Sequence, residues 1–250
     1  MAKQFTPAPA TATPLAEIST MWSVVIRANA GLEAQPEALD VFFQRYQGAV
    51  LRYFQTALHN PDLATDLTQD FALRFVRGDF WNVAPDRGRF RDFLRVALAN
   101  MLRDHRRRQK HRAGAAFIPG LHDPVDEDGD TADPVFDESW RNELLARTWV
   151  ALEQHQSTTG EPYFTALKLK ADRSEDSSAA LAESFNSGRT DATPLSEPAF
   201  RKTLQRARGR FGELLLREVA ETLAVPTRAE LERELIELRL LAFCGDQLPK

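Results

Sequence analysis

Cysteine is nearly missing from this chain: Cys244 is the only one in 250 residues. No internal disulfide can form, and a reducing cytoplasm is the expected home. A lone thiol cannot build a Cys-rich zinc site, and His105, His111 and His122 are spaced too irregularly to make one. No apolar run approaches the roughly 18 residues of a membrane span. The first residues lack the apolar core of a signal peptide. Strand-like alternation and solenoid-length repeats are also wanting, which leaves an all-α reading. Net charge is small as well: 32 Lys and Arg against 36 Asp and Glu leave −4. A strong overall field of one sign is therefore excluded.

What the chain does have is charge in blocks. Over 87–112 there are ten Arg or Lys against Asp92 and Asp104, whereas 121–138 holds eight carboxylates and no Lys or Arg. Composition shifts with charge. Residues 1–17 are rich in Ala, Pro and Thr and read as a disordered leader. Residues 18–112 read as a first helical domain, 113–138 as an acidic flexible linker, and 139–250 as a second helical domain.

In the first domain, a short stretch bearing Trp22, Val25 and Ile26 precedes a helix over 36–58. The apolar positions of that helix, Leu39, Phe42, Phe43, Tyr46, Val50 and Phe54, follow a helical period. Asn60-Pro61 is a helix start signal, because Asn accepts from free backbone N–H groups and Pro suits the first helical position. Asp62, Asp66 and Asp70 then share one face, where the helix dipole offsets part of their repulsion. Gly78 is the expected stop. From Phe90 onward, Phe93, Leu94, Ala97, Leu98, Met101 and Leu102 predict a buried stripe. Arg91, Arg95, Arg103 and Arg106 predict a basic ridge opposite, with Asn100 at the boundary. The 60–112 stretch thus presents an acidic end suited to a protein partner and a basic end suited to DNA. A rival reading makes the Asp cluster the metal site of a nucleic-acid-processing enzyme, but it lacks a nearby His or second carboxylate cluster.

The second domain is expected to hold amphipathic helices over 140–154 and 162–169, a third over 177–185 capped by Ser177, and a fourth beginning near Pro198. Phe200, Leu204, Ala207, Phe211, Leu214 and Leu215 are its buried stripe, and Arg201, Lys202, Gln205, Arg206 and Arg208 lie on its other surface. A last helix is expected over 227–243.

DLTQDF, GRFRDFL, the basic helix after them with Asn100, and the separate helix-turn-helix together resemble the extracytoplasmic-function class of RNA polymerase sigma factors. TMWSVV near the start and FGELLLREVAETLAVPTRAELERELIEL near the end are similar to one large branch of that class. The resemblance covers roughly 19–243 of the chain. It implies two helical domains, regions 2 and 4, on a flexible tether, and no catalysis or cofactor of the chain's own. Asp66, Gln69 and Asp70 would meet the clamp helices of the polymerase's largest subunit. The loop over 78–89, with Phe80, Trp81, Arg87 and Arg89, would capture a flipped base of the −10 element. Asn100, Arg103, Arg106 and Arg107 would face −10 DNA. The helix over 199–212 would enter the −35 major groove with Arg201, Lys202, Gln205, Arg206 and Arg208. Core RNA polymerase and promoter DNA are the implied partners, and many members are also held by an anti-sigma factor. Two features depart from the pattern. The turn before the recognition helix is about a dozen residues long, against the usual three or four. Gly209 also interrupts that helix. A helix-turn-helix regulator that acts without polymerase is the alternative.

Overall fold

The computed structural model describes residues 36–77, 79, 89–112, 133–188 and 193–249. The leader, the helix expected around Trp22, Gly78, Phe80, Trp81, Arg87 and residues 113–132 lie outside the described residues. Those described are helical, with no strand among them: α1 (Pro36–Leu58), α2 (Pro61–Arg77), α3 (Phe90–Arg112), α4 (Pro134–Thr159), α5 (Tyr163–Asp172), α6 (Ser178–Ser187), α7 (Glu197–Ala220), α8 (Arg228–Glu237) and α9 (Leu241–Cys244). A single 3-10 turn, Gly245–Gln247, follows. Among them, no helix is long and apolar enough to cross a membrane.

Local chemistry sets most of the boundaries. Asn60 Oδ1 accepts from the Asp62 and Leu63 amides at 3.1 Å each, so α2 starts at the Asn-Pro pair as expected. The same signal recurs at Asp133-Pro134. Asp133 Oδ1 accepts from the Val135 and Phe136 amides at 3.0 and 3.1 Å and opens α4. Residues 134–138, expected as linker, are therefore the first turns of a 26-residue helix. Its end is Gly160, in the left-handed region at φ 75°. The tail also departs from expectation. In place of one helix over 227–243, α8 stops at Glu237, Arg239 takes φ 55° and the chain folds back into α9. Burial of Leu238 and Leu240 on either side of the reversal explains why a non-glycine residue tolerates it.

Two apolar cores result, and their division is not at residue 139. The larger one joins α1, α2 and α3 to α4, the C-terminal half of α7, α8 and α9. Trp140 of α4 stacks on Tyr46 of α1 with ring centres 5.0 Å apart, and Phe136 meets Tyr53 edge-on at 5.8 Å. Farther along α4, Trp149 packs against Phe211 of α7 at 5.1 Å. One helix is thus a wall of both halves. Ion pairs add to the junction: Glu218 of α7 lies 3.2 Å from Arg45 of α1 and 2.8 Å from Arg147 of α4, and Glu221 also pairs with Arg45. The smaller core is separate. Ala166, Leu181, Ala182, Phe185, Phe200 and Leu204 gather α5, α6 and the first turns of α7 into a unit of their own.

Candidate nucleic-acid interface

Helix α3 buries Phe90, Leu94, Ala97, Leu98, Met101 and Leu102, as its spacing predicts. Past Leu102 the apolar stripe ends while the helix continues, so Arg103, Arg106, Arg107, Arg108 and Lys110 stand in solvent. Asn100 is exposed and accepts from Arg103 Nη1 at 2.7 Å, which couples two expected DNA contacts. Arg106 Nη2 donates to the Ala57 carbonyl at 3.4 Å and ties the basic end to α1. Arg107 reaches Asp104 at 3.3 Å, yet its side chain is 73% exposed. Held only by contacts that water screens, these arginines can exchange their partners for phosphate at little cost.

The other end of the expected ridge is different. Arg91, expected outside, is buried, and Arg89, expected at −10 DNA, is nearly so. Position 91 shares a helix face with Leu94 and Leu98, so its backbone aims it inward despite its charge. Carboxylates from two other helices converge there. Arg91 Nη1 meets Asp137 of α4 at 2.5 Å, its Nε lies 2.9 Å from Glu234 Oε1 of α8, and it also pairs with Glu237. The Nε contact is a charge pairing without hydrogen-bond alignment. Arg89 reaches Glu234 at 2.6 Å, Glu237 at 2.7 Å and Asp92 at 3.0 Å. Burial works to lower the pKa of both guanidiniums, but the Glu234 charge and its neighbours outweigh it and hold both above the ordinary value. Glu234 itself is pushed up, by burial first, with Arg91 and Arg89 opposing.

On α2, Asp66 and Gln69 are exposed, and neither has an ion pair or hydrogen bond among the described residues. Asp70 is partly exposed and pairs with Arg74 at 3.1 Å. Leu73 and Val76, which sequence reasoning does not single out, are also exposed, at 55% and 52%. Positions 62, 66, 69, 73 and 76 alternate steps of four and three, the spacing of a helix-pairing seam. That spacing is the available signal. It is hidden because a solvent-facing stripe is expected to be polar throughout.

Helix α7 exposes Arg201, Lys202, Gln205, Arg206 and Arg208 opposite buried Phe200, Leu204 and Ala207. Arg201 lies 3.7 Å from Glu197, and the other four hold no internal ion pair among the described residues. Ser196 caps the helix, accepting from the Ala199 amide at 3.4 Å. The long turn before it is clasped at its base. Asn186 Nδ2 donates to the Leu195 carbonyl at 2.9 Å, and the Leu195 amide donates to Asn186 Oδ1 at 2.8 Å. Phe185 and Phe200 meet across it with ring centres 5.2 Å apart. The α6–α7 angle is therefore fixed by packing and by one amide side chain, not by a short turn. Among the described residues no group of three or more His, Cys, Asp or Glu side chains is placed to hold a metal ion.

No family model matches this chain, and no curated protein or solved structure matches it either.

Proposed function

We propose that this chain is an RNA polymerase sigma factor of the extracytoplasmic-function type. It binds core polymerase through α2, contacts the −10 region with the end of α3, reads the −35 region with the start of α7, and has no catalytic chemistry of its own. The cytoplasm is its place of action. The observation that carries the reading is that two separate helices each leave a cationic, amide-bearing face open on solvent while the opposite face is packed. The first has Asn100, Arg103, Arg106 and Arg107, and the second Arg201, Lys202, Gln205, Arg206 and Arg208. Cations supply sequence-independent affinity, and forked or amide groups on an exposed helix supply base discrimination. The α2 seam adds the second requirement of such a protein. Asp66 and Gln69 offer polar contacts, and Leu73 and Val76 an apolar anchor for a partner helix.

Transcription in vitro with core polymerase over a promoter library tests the whole reading. Initiation from a defined subset of promoters is expected only when the chain is present. Asp66→Ala should weaken polymerase binding. Arg201→Ala or Gln205→Ala should relax discrimination at single −35 bases by about 1–3 kcal/mol. DNA binding without co-elution with polymerase would make the chain a polymerase-independent regulator instead.

A further inference from the structure

The junction of α3 with α8 has features that a purely structural contact does not need. Two arginines at the start of α3 are neutralised by carboxylates from the last long helix, 143 residues away in sequence between Arg91 and Glu234. Glu234 is wholly buried, so water does not screen its pull. Among the described residues the carboxylates also outnumber the cations: Arg89, Arg91 and Arg95 face Asp92, Asp137, Glu234 and Glu237. Buried charge clusters of this kind contribute little net stability, because desolvation offsets most of the attraction. What they do supply is a choice of partner. A carboxylate and a phosphate oxygen present the same acceptor geometry to a guanidinium.

We propose that α8 is a built-in latch: in the free chain Glu234 and Glu237 occupy Arg89 in place of a DNA phosphate, and DNA engagement draws Arg89 out of their grasp. The inference rests on the DNA-binding reading above. The exposed arginines of α3 make first contact, since nothing internal competes strongly for them. Arg89, at the opposite end of the helix, joins only when α8 yields. The Asp92 pairing at 3.0 Å is local to α3 and stays with Arg89 in either state. Arg91 retains Asp137 on α4, so α3 stays tied to α4 while the α8 edge of the larger core loosens.

The test uses the full-length chain and a labelled random-sequence DNA duplex, with affinity measured by anisotropy over a range of salt. Glu234→Gln/Glu237→Gln keeps shape and removes the two competing charges. It is expected to tighten binding about tenfold, as one charge-assisted contact would, with the log–log salt slope unchanged because Arg89 reaches a phosphate in either complex. Adding Arg89→Ala to that double variant should cancel the gain in affinity, and Arg89→Ala, alone or in that background, should lower the slope by about one unit because a phosphate contact is lost. An equal gain from the charge-matched Glu230→Gln/Glu232→Gln on the same helix overturns the latch. So does unchanged affinity in the double variant. Hydrogen exchange on the wild-type chain gives a second reading that needs no variant. DNA should lower protection of the α8 amides, and unaltered protection sinks the proposal. If the wild-type chain and every variant fail to bind DNA at low salt, the DNA-binding reading falls and takes the latch with it. If they bind but show no latch effect, only the latch falls.

Discussion

At the scale of single residues, two glycines of α7 play opposite parts. Gly209 has nothing within 4 Å of where a Cβ would stand. Its lack of a side chain serves no packing purpose, and glycine in a helix interior costs about 1 kcal/mol relative to alanine. Gly209→Ala should therefore raise unfolding free energy by about that amount in a denaturant melt. Three residues on, a Cβ on Gly212 would lie 2.8 Å from the Phe243 carbonyl and 2.5 Å from Gln247 Oε1. The backbone contact cannot move aside cheaply, because α9 and the turn after it lie directly on this turn of α7. Gly212→Ala should lower stability by about 1–3 kcal/mol. A melt in which the two variants behave alike would show that the α9 seat is not where the structure has it.

At the scale of elements, the Asn186 clasp is the most exposed to test. One side chain makes two hydrogen bonds across the base of the α6–α7 turn. Its loss should lower stability by about 1–2 kcal/mol. Asn186→Ala should also raise hydrogen exchange in the first turn of α7 while leaving α4 protected, because the smaller core is separate from the larger. Uniform loss of protection would mean that the two cores do not behave separately. The elements also show what the sequence can disclose. Helix starts at Asn60-Pro61 and Ser177 are legible because a cap is a local event with a local signature. The start at Asp133-Pro134 carries the same signature, but the acidic composition around it reads as linker. Arg91 is misplaced by sequence for a related reason. Its charge suggests solvent, and the three carboxylates that hold it inside instead, Asp137, Glu234 and Glu237, are distant in sequence. The turn at Arg239 is illegible outright, since no glycine or asparagine marks it. For the candidate interface, the exposed faces of α7 and of the C-terminal half of α3 follow from period alone. Leu73 and Val76 do not, because periodicity cannot tell an apolar residue awaiting a partner from one facing a core.

At the scale of the whole molecule, buried carboxylates set a pH dependence of unusual sign. Glu234 is pushed above the ordinary carboxylate range by burial, against Arg91 and Arg89, and Glu221 likewise by burial against Arg45. Between the ordinary value and the raised one, the folded chain holds a proton that the unfolded chain has released. Their contribution to stability therefore grows as pH falls through that window and is lost as pH rises through the folded value. The comparison with Glu234→Gln isolates it. The unfolding free energy of wild type minus that of the variant should increase on acidification from neutrality into the ordinary carboxylate range. A difference that shrinks instead would mean that Arg89 and Arg91 outweigh burial, and that Glu234 is a strongly held anion.

Helix α4 spans Pro134–Thr159, about 40 Å at 1.5 Å per residue, with Trp140 buried in the larger core and Trp149 partly buried against it. Motion of one half against the other must then be a slide along a common spar, not the free tumbling of beads on a string. Such a slide breaks aromatic stacking before it gains anything, so reorientation should be slow and gated. A chain built this way keeps one posture until those contacts are broken.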